Sequence, residues 1–335
     1  MTLAAALRDA THAVHAVRVA GVRNLAPALL AELRRPGPIL CNDDDHPSMP
    51  AVRERLVAAL DDALPEVQGH AVIGLALLGR DELVEHASKW LALERDDEPS
   101  RWLRETAVIA LGHLGVAAGD RPALLGRVRT LVRKAWASPH DDTRFQAALA
   151  LVDVDDPQAE ELLADALAKE THADLREQIV VALSHLPRVS SKTCDRLARV
   201  LAEGDEARAT IGFEIALVLA AHQRHEAGAR LVLALRWRAE RDRALEALAA
   251  LGASAPAEAI AGAARLAGRP WVPSITRVRA AYALVRMAPA GSRAHDRAER
   301  YLRRWAWHPR PAVREAVADV QKARASLDAE GEPRP

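Results

Sequence analysis

The sequence predicts an all-α, right-handed α-solenoid of stacked helical hairpins, and three observations predict it. Half of the 335 residues are hydrophobic while aromatics make up only 3%, so any core must be assembled from Ala, Leu and Val, a mixture that favours closely packed helices over sheets. A frame, Arg-x-x-Ala-x-x-Ala-Leu-x-x-Leu, recurs along the chain. Upstream of its copies comes a second helical pattern and then a Pro- and Asp-containing turn, which supplies a helix stop and an N-cap.

In chain order, residues 1–47 fall outside the period. Leu3 to Val17 and Val22 to Leu33 read as helical, Pro36-Gly-Pro breaks the chain, and Asn42-Asp-Asp-Asp-His46 follows. An N-terminal helical cap is expected there, since a repeat array must blunt its exposed apolar end. Asp43, Asp44 and Asp45 lack the Gly and the distal Glu of a calcium loop, which leaves a solvated loop or a helix cap.

Residues 48–325 are expected to form the solenoid. Val67-Gln-Gly-His-Ala-Val-Ile-Gly-Leu-Ala-Leu-Leu-Gly79 overlays Leu103-Arg-Glu-Thr-Ala-Val-Ile-Ala-Leu-Gly-His-Leu-Gly115 without a gap. Dyads of a small residue and Leu begin at 74, 110, 150, 182, 216, 247 and 283, with a weak eighth at 320, giving steps of 36, 40, 32, 34, 31, 36 and 37 residues. A period of this size marks hairpins that bury their apolar stripe only against the next copy. Inside one unit, Leu103, Ala107, Ala110, Leu111 and Leu114 follow the rhythm of a helix with one buried face. A covering helix such as Ala123 to Trp136 lies just upstream of the next turn, Ser138-Pro-His-Asp-Asp142. The tail, 326–335, is expected to be disordered.

This unit resembles the HEAT family, particularly the variety found in the phycobilisome lyases. Ala110-Leu-Gly-His-Leu-Gly115 and Pro309-Arg-Pro-Ala-Val-Arg-Glu-Ala316 carry the resemblance most clearly, and it spans about residues 48–323. It implies a ladder between repeats in which a turn Asp meets a second-helix Arg. That role falls to Arg104, Arg144, Arg176 and Arg314, with Asp141 or Asp142 and Asp174 as partners. The ladder should be weakest at Gln68 and Thr210, which depart from the pattern. HEAT arrays serve many purposes, so the resemblance specifies fold more than function.

Formal net charge is zero, yet its distribution is uneven. Residues 1–180 hold 20 Lys and Arg against 29 Asp and Glu, while residues 181–335 hold 26 against 17, a split of −9 and +9. Cys41 and Cys194 match no disulfide framework or zinc module, which suggests a reducing compartment. Arg8 and Asp9 interrupt the N-terminus before a signal peptide could form, and no uncharged apolar run of 18 residues occurs. A cytoplasmic protein without a membrane partner is expected.

No Gly-rich phosphate loop, Ser nucleophile elbow or His-Glu-x-x-His helix is present, and no catalytic residue, metal or cofactor is expected. His222-Gln-Arg-His225-Glu226 could set two imidazoles beside a carboxylate, although such a group at a turn more often solvates a loop. Deoxyhypusine hydroxylase, a HEAT-like di-iron enzyme, carries several His-Glu pairs where this chain has His225-Glu226 alone. His113, Asp153 and His185 share one position in three repeats, on the order of 10 Å apart, too far to share a small metal. Trp136, Trp305 and Trp307 end equivalent first helices and read as packing or convex-face residues. Trp102, in Ser100-Arg-Trp-Leu-Arg-Glu-Thr-Ala107, resembles the Trp-x-Arg stretch of HEAT-like alkylpurine DNA glycosylases, without that family's following Asp. It is expected in a turn, with no pocket joining it to a carboxylate.

The positive site expectation is a basic strip on second helices. Arg243, Arg279 and Arg286 are its freer members, and Arg241 and Arg277 stand in the ladder position. First helices add Arg236, Arg238, Arg300, Arg303 and Arg304, facing outward or pairing with Glu240 and Glu299. The function expected is a non-catalytic scaffold that captures a helix or charged tail of a protein partner: an acidic tail on the strip, a basic segment on the N-terminal half. The alternative is nucleic-acid binding through the basic C-terminal half.

Overall fold

The computed structural model describes residues 1–33, 46–203 and 210–331, and among them the chain is helical with no strand. Pro36-Gly-Pro, Cys41 and Asp43 to Asp45 lie outside the described residues. The chain divides into two compact units, Met1–Leu186 and Pro187–Pro335.

Unit 1 is a stack of hairpins. They are α1 (Leu3–Asp9) with α2 (His15–Glu32), α3 (Met49–Ala59) with α4 (Pro65–Leu77), and α5 (Leu83–Trp90) with α6 (Glu98–Ala117). Next come α7 (Pro122–Trp136) with α8 (Asp141–Asp153), and α9 (Ala159–Leu167) with α10 (Ala173–Ser184). The second helices α2, α4, α6, α8 and α10 pack on one another in chain order, each covered by its own first helix. Leu75, Leu111, Leu151 and Leu183, the dyad leucines, are fully buried in α4, α6, α8 and α10, each worth roughly 1.5–3 kcal/mol of transfer free energy. The starts of α4, α6 and α7 carry Pro in the first turn, where the ring's fixed φ suits a helix and its missing N–H costs nothing.

Unit 2 repeats the plan with α11 (Ser191–Glu203) and α12 (Thr210–Ala221), α13 (Gly228–Ala234) and α14 (Arg241–Leu251), α15 (Ala257–Gly268) and α16 (Ser274–Met287), and α17 (Arg293–Trp305) and α18 (Pro311–Gly331). Helices α12, α14, α16 and α18 stack in order, and Leu248 and Leu284 are buried as the dyad requires. Where a disordered tail was expected from 326, α18 continues to Gly331.

Residues 1–33 form a further hairpin of the same kind. Gly21 lets α2 close on the end of α1, since a Cβ there would stand 2.4 Å from the Ala10 nitrogen. Arg18 occupies the ladder position, and its Nη1 donates to the His12 carbonyl at 2.9 Å. The frame is present in relaxed form as Arg18-x-x-Gly21-x-x-x-Leu25, with Asn24 where the other copies have a small residue.

The ladder arginines act chiefly inside their own hairpins. Arg104, 1% exposed, donates from Nη1 to the Leu93 carbonyl at 3.2 Å and from Nη2 to Asp96 at 3.1 Å, and also reaches the Arg95 carbonyl. The same reach takes Arg144 to Ser138 O at 3.3 Å, Arg241 to Leu235 O at 2.9 Å, Arg277 to Ala267 O at 3.1 Å and Arg314 to His308 O at 2.9 Å. Each acceptor lies in the last turn of a first helix or just beyond it, where carbonyls lack intrahelical donors and a cation suits the negative helix end.

Rungs between hairpins exist too, from Arg18 to Asp62 at 2.8 Å and from Arg144 to Glu170 at 3.4 Å. Arg144 also meets Asp141 on its own helix, whereas Asp142 pairs with Arg101 at 3.0 Å. Asp174 is exposed at the start of α10, and Arg176 is half-buried one turn away from that start. At Gln68, where the ladder was expected to be weakest, the amide donates within its own hairpin, to the Asp62 carbonyl at 2.6 Å.

Candidate binding groove

The N-terminal halves of α2, α4 and α6 enclose a groove of about 890 Å³. Its walls follow helical spacing: His15, Val19 and Arg23 on α2, Glu66 and His70 on α4, and Glu98, Arg101, Trp102 and Glu105 on α6. Residues three or four apart share a helix face, so each helix turns one polar face to the groove and its aliphatic stripe to the stack.

Trp102 is seated rather than loose. A Cβ on Gly69 would lie 2.7 Å from the Trp102 Nε1, so the bare backbone of α4 is what lets the indole lie against it. The His70 ring meets the indole edge-on, with centroids 6.1 Å apart and planes at 74°. With 37% of its surface still exposed, Trp102 offers a ring face to the groove. The expectation of a turn position is corrected: Asp97 caps α6 by accepting from the Ser100 N–H at 2.9 Å, so the helix starts ahead of Trp102. The expectation of no pocket joining Trp102 to a carboxylate is corrected with it, because Glu98 and Glu105 fall on the same face one turn either side.

Three acids, Glu66, Glu98 and Glu105, and two arginines, Arg23 and Arg101, line the groove. Burial pushes the Glu105 carboxyl above its ordinary range, and the like charge of Asp142 adds to this, against the pull of Arg101 and Arg104. Glu105 is half-buried, and Arg101 is engaged elsewhere, by Asp142 at 3.0 Å and Asp96 at 3.7 Å. Burial also holds the His70 pKa below its usual value, with Arg23 acting in the same sense and Glu66 against it.

The other sequence candidates are placed differently. In the basic strip, Arg243 forms a fork with both Glu214 oxygens at 2.7 Å, and Arg279 binds Asp242 at 2.7 Å and Glu246 at 3.0 Å. Arg241 and Arg277 cap carbonyls, Arg277 also lying 4.8 Å from the Trp305 ring centroid, and Arg286 is half-buried near the end of α16. The strip's residues lie on α14 and α16, with acids from α12 and α14 beside Arg243 and Arg279. Those acids, Glu214, Asp242 and Glu246, sit about one repeat upstream of their arginines, a spacing that could have exposed the pairing.

Arg224 takes Glu226 at 2.8 Å and Asp195 at 2.6 Å. Its guanidinium holds the Glu226 carboxyl down to about 2, while His225 stays exposed beside it. Asp153 is pushed up by burial and pulled back by His113 and His185 of the repeats on either side. Among the described residues no group of three or more His, Cys, Asp or Glu is placed to hold a metal, and no helix is long and apolar enough to cross a membrane. Trp305 is buried, Trp136 half-buried and Trp307 87% exposed.

Comparison with known proteins bears on the fold. Residues 92–184 match the model of HEAT repeats. The karyopherin Kap121p bound to the extreme C-terminus of the protein phosphatase Cdc14p is similar with a TM-score of 0.51 and 12% identity, over 95% of this chain and 37% of that one. Kap121p bound to Nup53p gives a TM-score of 0.52 at 12% identity, over 95% and 36%. The CpcE–CpcF complex of phycocyanin lyase from Nostoc sp. PCC7120 aligns with a TM-score of 0.40 and 18% identity, over 78% of this chain and 92% of that one. The chain thus spans little more than a third of the karyopherin's length. No curated protein matches its sequence.

Proposed function

Because this is a HEAT-repeat chain, with the family's repeats matched over residues 92–184 and the same hairpin recurring through each unit, we propose that it is a non-catalytic scaffold that captures a basic segment of a protein partner in the groove over α2, α4 and α6. One observation carries the reading: Trp102, seated on Gly69, stands between Glu98 and Glu105 in an open groove. A Lys or Arg side chain laid over the indole gains a cation–π contact, roughly 0.5–2 kcal/mol, and a carboxylate within reach. Unit 1 has an excess of nine acidic charges, 29 against 20, which steers a basic segment toward it. Kap121p, similar in fold, is itself seen with the C-terminus of Cdc14p. The strip of Arg243, Arg279 and Arg286 is left out of the reading, because its first two members are already matched by acids.

The test is affinity capture from native lysate with the full chain, compared with Trp102→Ala, Glu105→Lys and the triple change of Arg243, Arg279 and Arg286 to Glu. Partners lost with either groove variant but kept by the triple variant are the expected result. Partners kept by both groove variants overturn the proposal.

A second reading takes the groove as a base-excision site, since Glu105 stands beside Trp102 where the glycosylase resemblance called for a carboxylate. Base release from duplex DNA carrying 7-methylguanine, abolished by Glu105→Gln, would establish it in place of the scaffold.

A further inference from the structure

The turn from first to second helix differs in kind between the two units. In unit 1 three of the five turns carry acids: Asp61 and Asp62, Glu94, Asp96 and Asp97, Glu170. In unit 2 the three turns within the described residues carry Trp and Arg: Arg236-Trp-Arg238 between α13 and α14, Arg269-Pro-Trp271 between α15 and α16, and Trp307-His-Pro-Arg310 between α17 and α18. Helix α13 packs on α15 and α15 on α17, while α14, α16 and α18 stack alongside. The three turns therefore sit at the same end of their hairpins, one repeat apart, on the order of 10 Å.

The indoles of Trp237, Trp271 and Trp307 are 61%, 76% and 87% exposed. A residue this large usually hides most of its surface, so three in a row standing out of consecutive turns are not explained by packing within the hairpins. Arg236, Arg238, Arg269 and Arg310 are exposed beside them, and none forms an ion pair among the described residues. The Arg269 guanidinium lies 5.8 Å from the Trp271 ring centroid. The nearest acid in sequence, Glu240, is occupied by Arg230 at 3.0 Å, and unit 2 as a whole has 26 basic against 17 acidic residues.

We infer that this edge binds single-stranded nucleic acid, with bases stacked on the indoles and phosphates over the arginines. A polymer offering one aromatic face and one anion per unit matches an edge offering an indole and an arginine per repeat. A duplex keeps its base faces stacked away. An acidic peptide engages the arginines and leaves the indoles unused. An anionic bilayer takes Trp together with aliphatic neighbours, and here Ile275 is the one other large apolar side chain exposed among the described residues of unit 2. The edge lies wholly within unit 2 and is independent of the groove reading.

The experiment titrates the full chain into fluorescein-labelled oligothymidylate of about 12 nucleotides, a length within the usual span of one such site, and follows anisotropy across a salt series. Binding at low salt is expected, with log affinity falling against log salt at a slope of about −3 for four phosphates neutralised. Trp271→Ala and Trp307→Ala should each weaken binding about 5- to 150-fold, and Trp271→Phe, which keeps a ring, should retain most of it. These side chains project into solvent, so the variants should melt with the parent chain. Any of four results overturns the inference: no binding at low salt, alanine variants that bind as the parent does, equal affinity for a duplex of the same length, or tryptophan-dependent binding to phosphatidylserine vesicles with none to the oligonucleotide.

Discussion

Arg104 and Arg314 do the same job at different depths, which separates the cost of an uncapped carbonyl from the loss of a charge. Arg104 is 1% exposed and is the largest fully buried side chain among the described residues. Changing it to Ala strips the Leu93 and Arg95 carbonyls of their side-chain donor. A polar group left buried without a partner costs about 1–3 kcal/mol. The Asp96 contact adds little, because Asp96 is 63% exposed and screened by water, but the emptied volume adds a cavity. Arg104→Ala should therefore cost about 3–5 kcal/mol. Arg314 caps His308 O and Pro309 O from an exposed position, where water replaces it, so Arg314→Ala should cost about 0.5–1 kcal/mol. Urea unfolding followed by far-UV circular dichroism measures both, and hydrogen exchange should show the Arg104 effect concentrated in α5 and α6. Equal losses for the two variants would refute the account of buried helix-end capping.

Other expectations follow from the same geometry. Gly69→Ala places a methyl 2.7 Å from Trp102 Nε1, so it should cost about 1–3 kcal/mol and shift the indole's fluorescence. Glu226, held down to about 2 by Arg224, supports the fold fully above the unfolded carboxyl value near 4.3; that support should fade as pH falls from there towards about 2, and Glu226→Gln should abolish this part of the acid sensitivity in melting scans. His70 is held below its ordinary pKa by burial, so its contribution is present above about pH 6.5 and is lost on acidification through its depressed value; a His70→Gln variant whose stability falls just as steeply there would rule this out. Arg243→Ala strands Glu214, whose side chain is 11% exposed, yet Arg243 itself is 55% exposed, and the expected loss by thermal melting is about 1 kcal/mol.

The repeat was legible because its signal is covalent spacing. The dyads at 74, 110, 150 and 182 all fall inside second helices of unit 1, and those at 216, 247, 283 and 320 inside second helices of unit 2. The hairpin of α1 and α2 escaped because Asn24 interrupts the small-residue pattern, although Arg18, Gly21 and Leu25 were in place. Trp102 was misplaced because the repeat frame was read from Leu103, one residue later, whereas Asp97 as N-cap with Pro in the first turn starts α6 earlier. The groove was harder to read, since its walls come from three repeats and its seat is a glycine 33 residues before the indole it accommodates. The arginine strip was read as a set of cations, but the acids that pair with Arg243 and Arg279 lie on neighbouring helices, and a list of cations along one element does not reveal them.

The self-contained capping of each hairpin also bears on how arrays of this kind change length. Where the arginine of a second helix satisfies the end of its own partner helix, as Arg241 does for Leu235, deleting or duplicating the pair leaves no orphaned helix-end carbonyl behind. Joints crossed by an ion pair, such as Arg18 to Asp62, Arg144 to Glu170 or Arg243 to Glu214, would need repair. Insertion or loss of whole repeats should therefore be tolerated least where such pairs cross, as between α8 and α9 and on either side of α14.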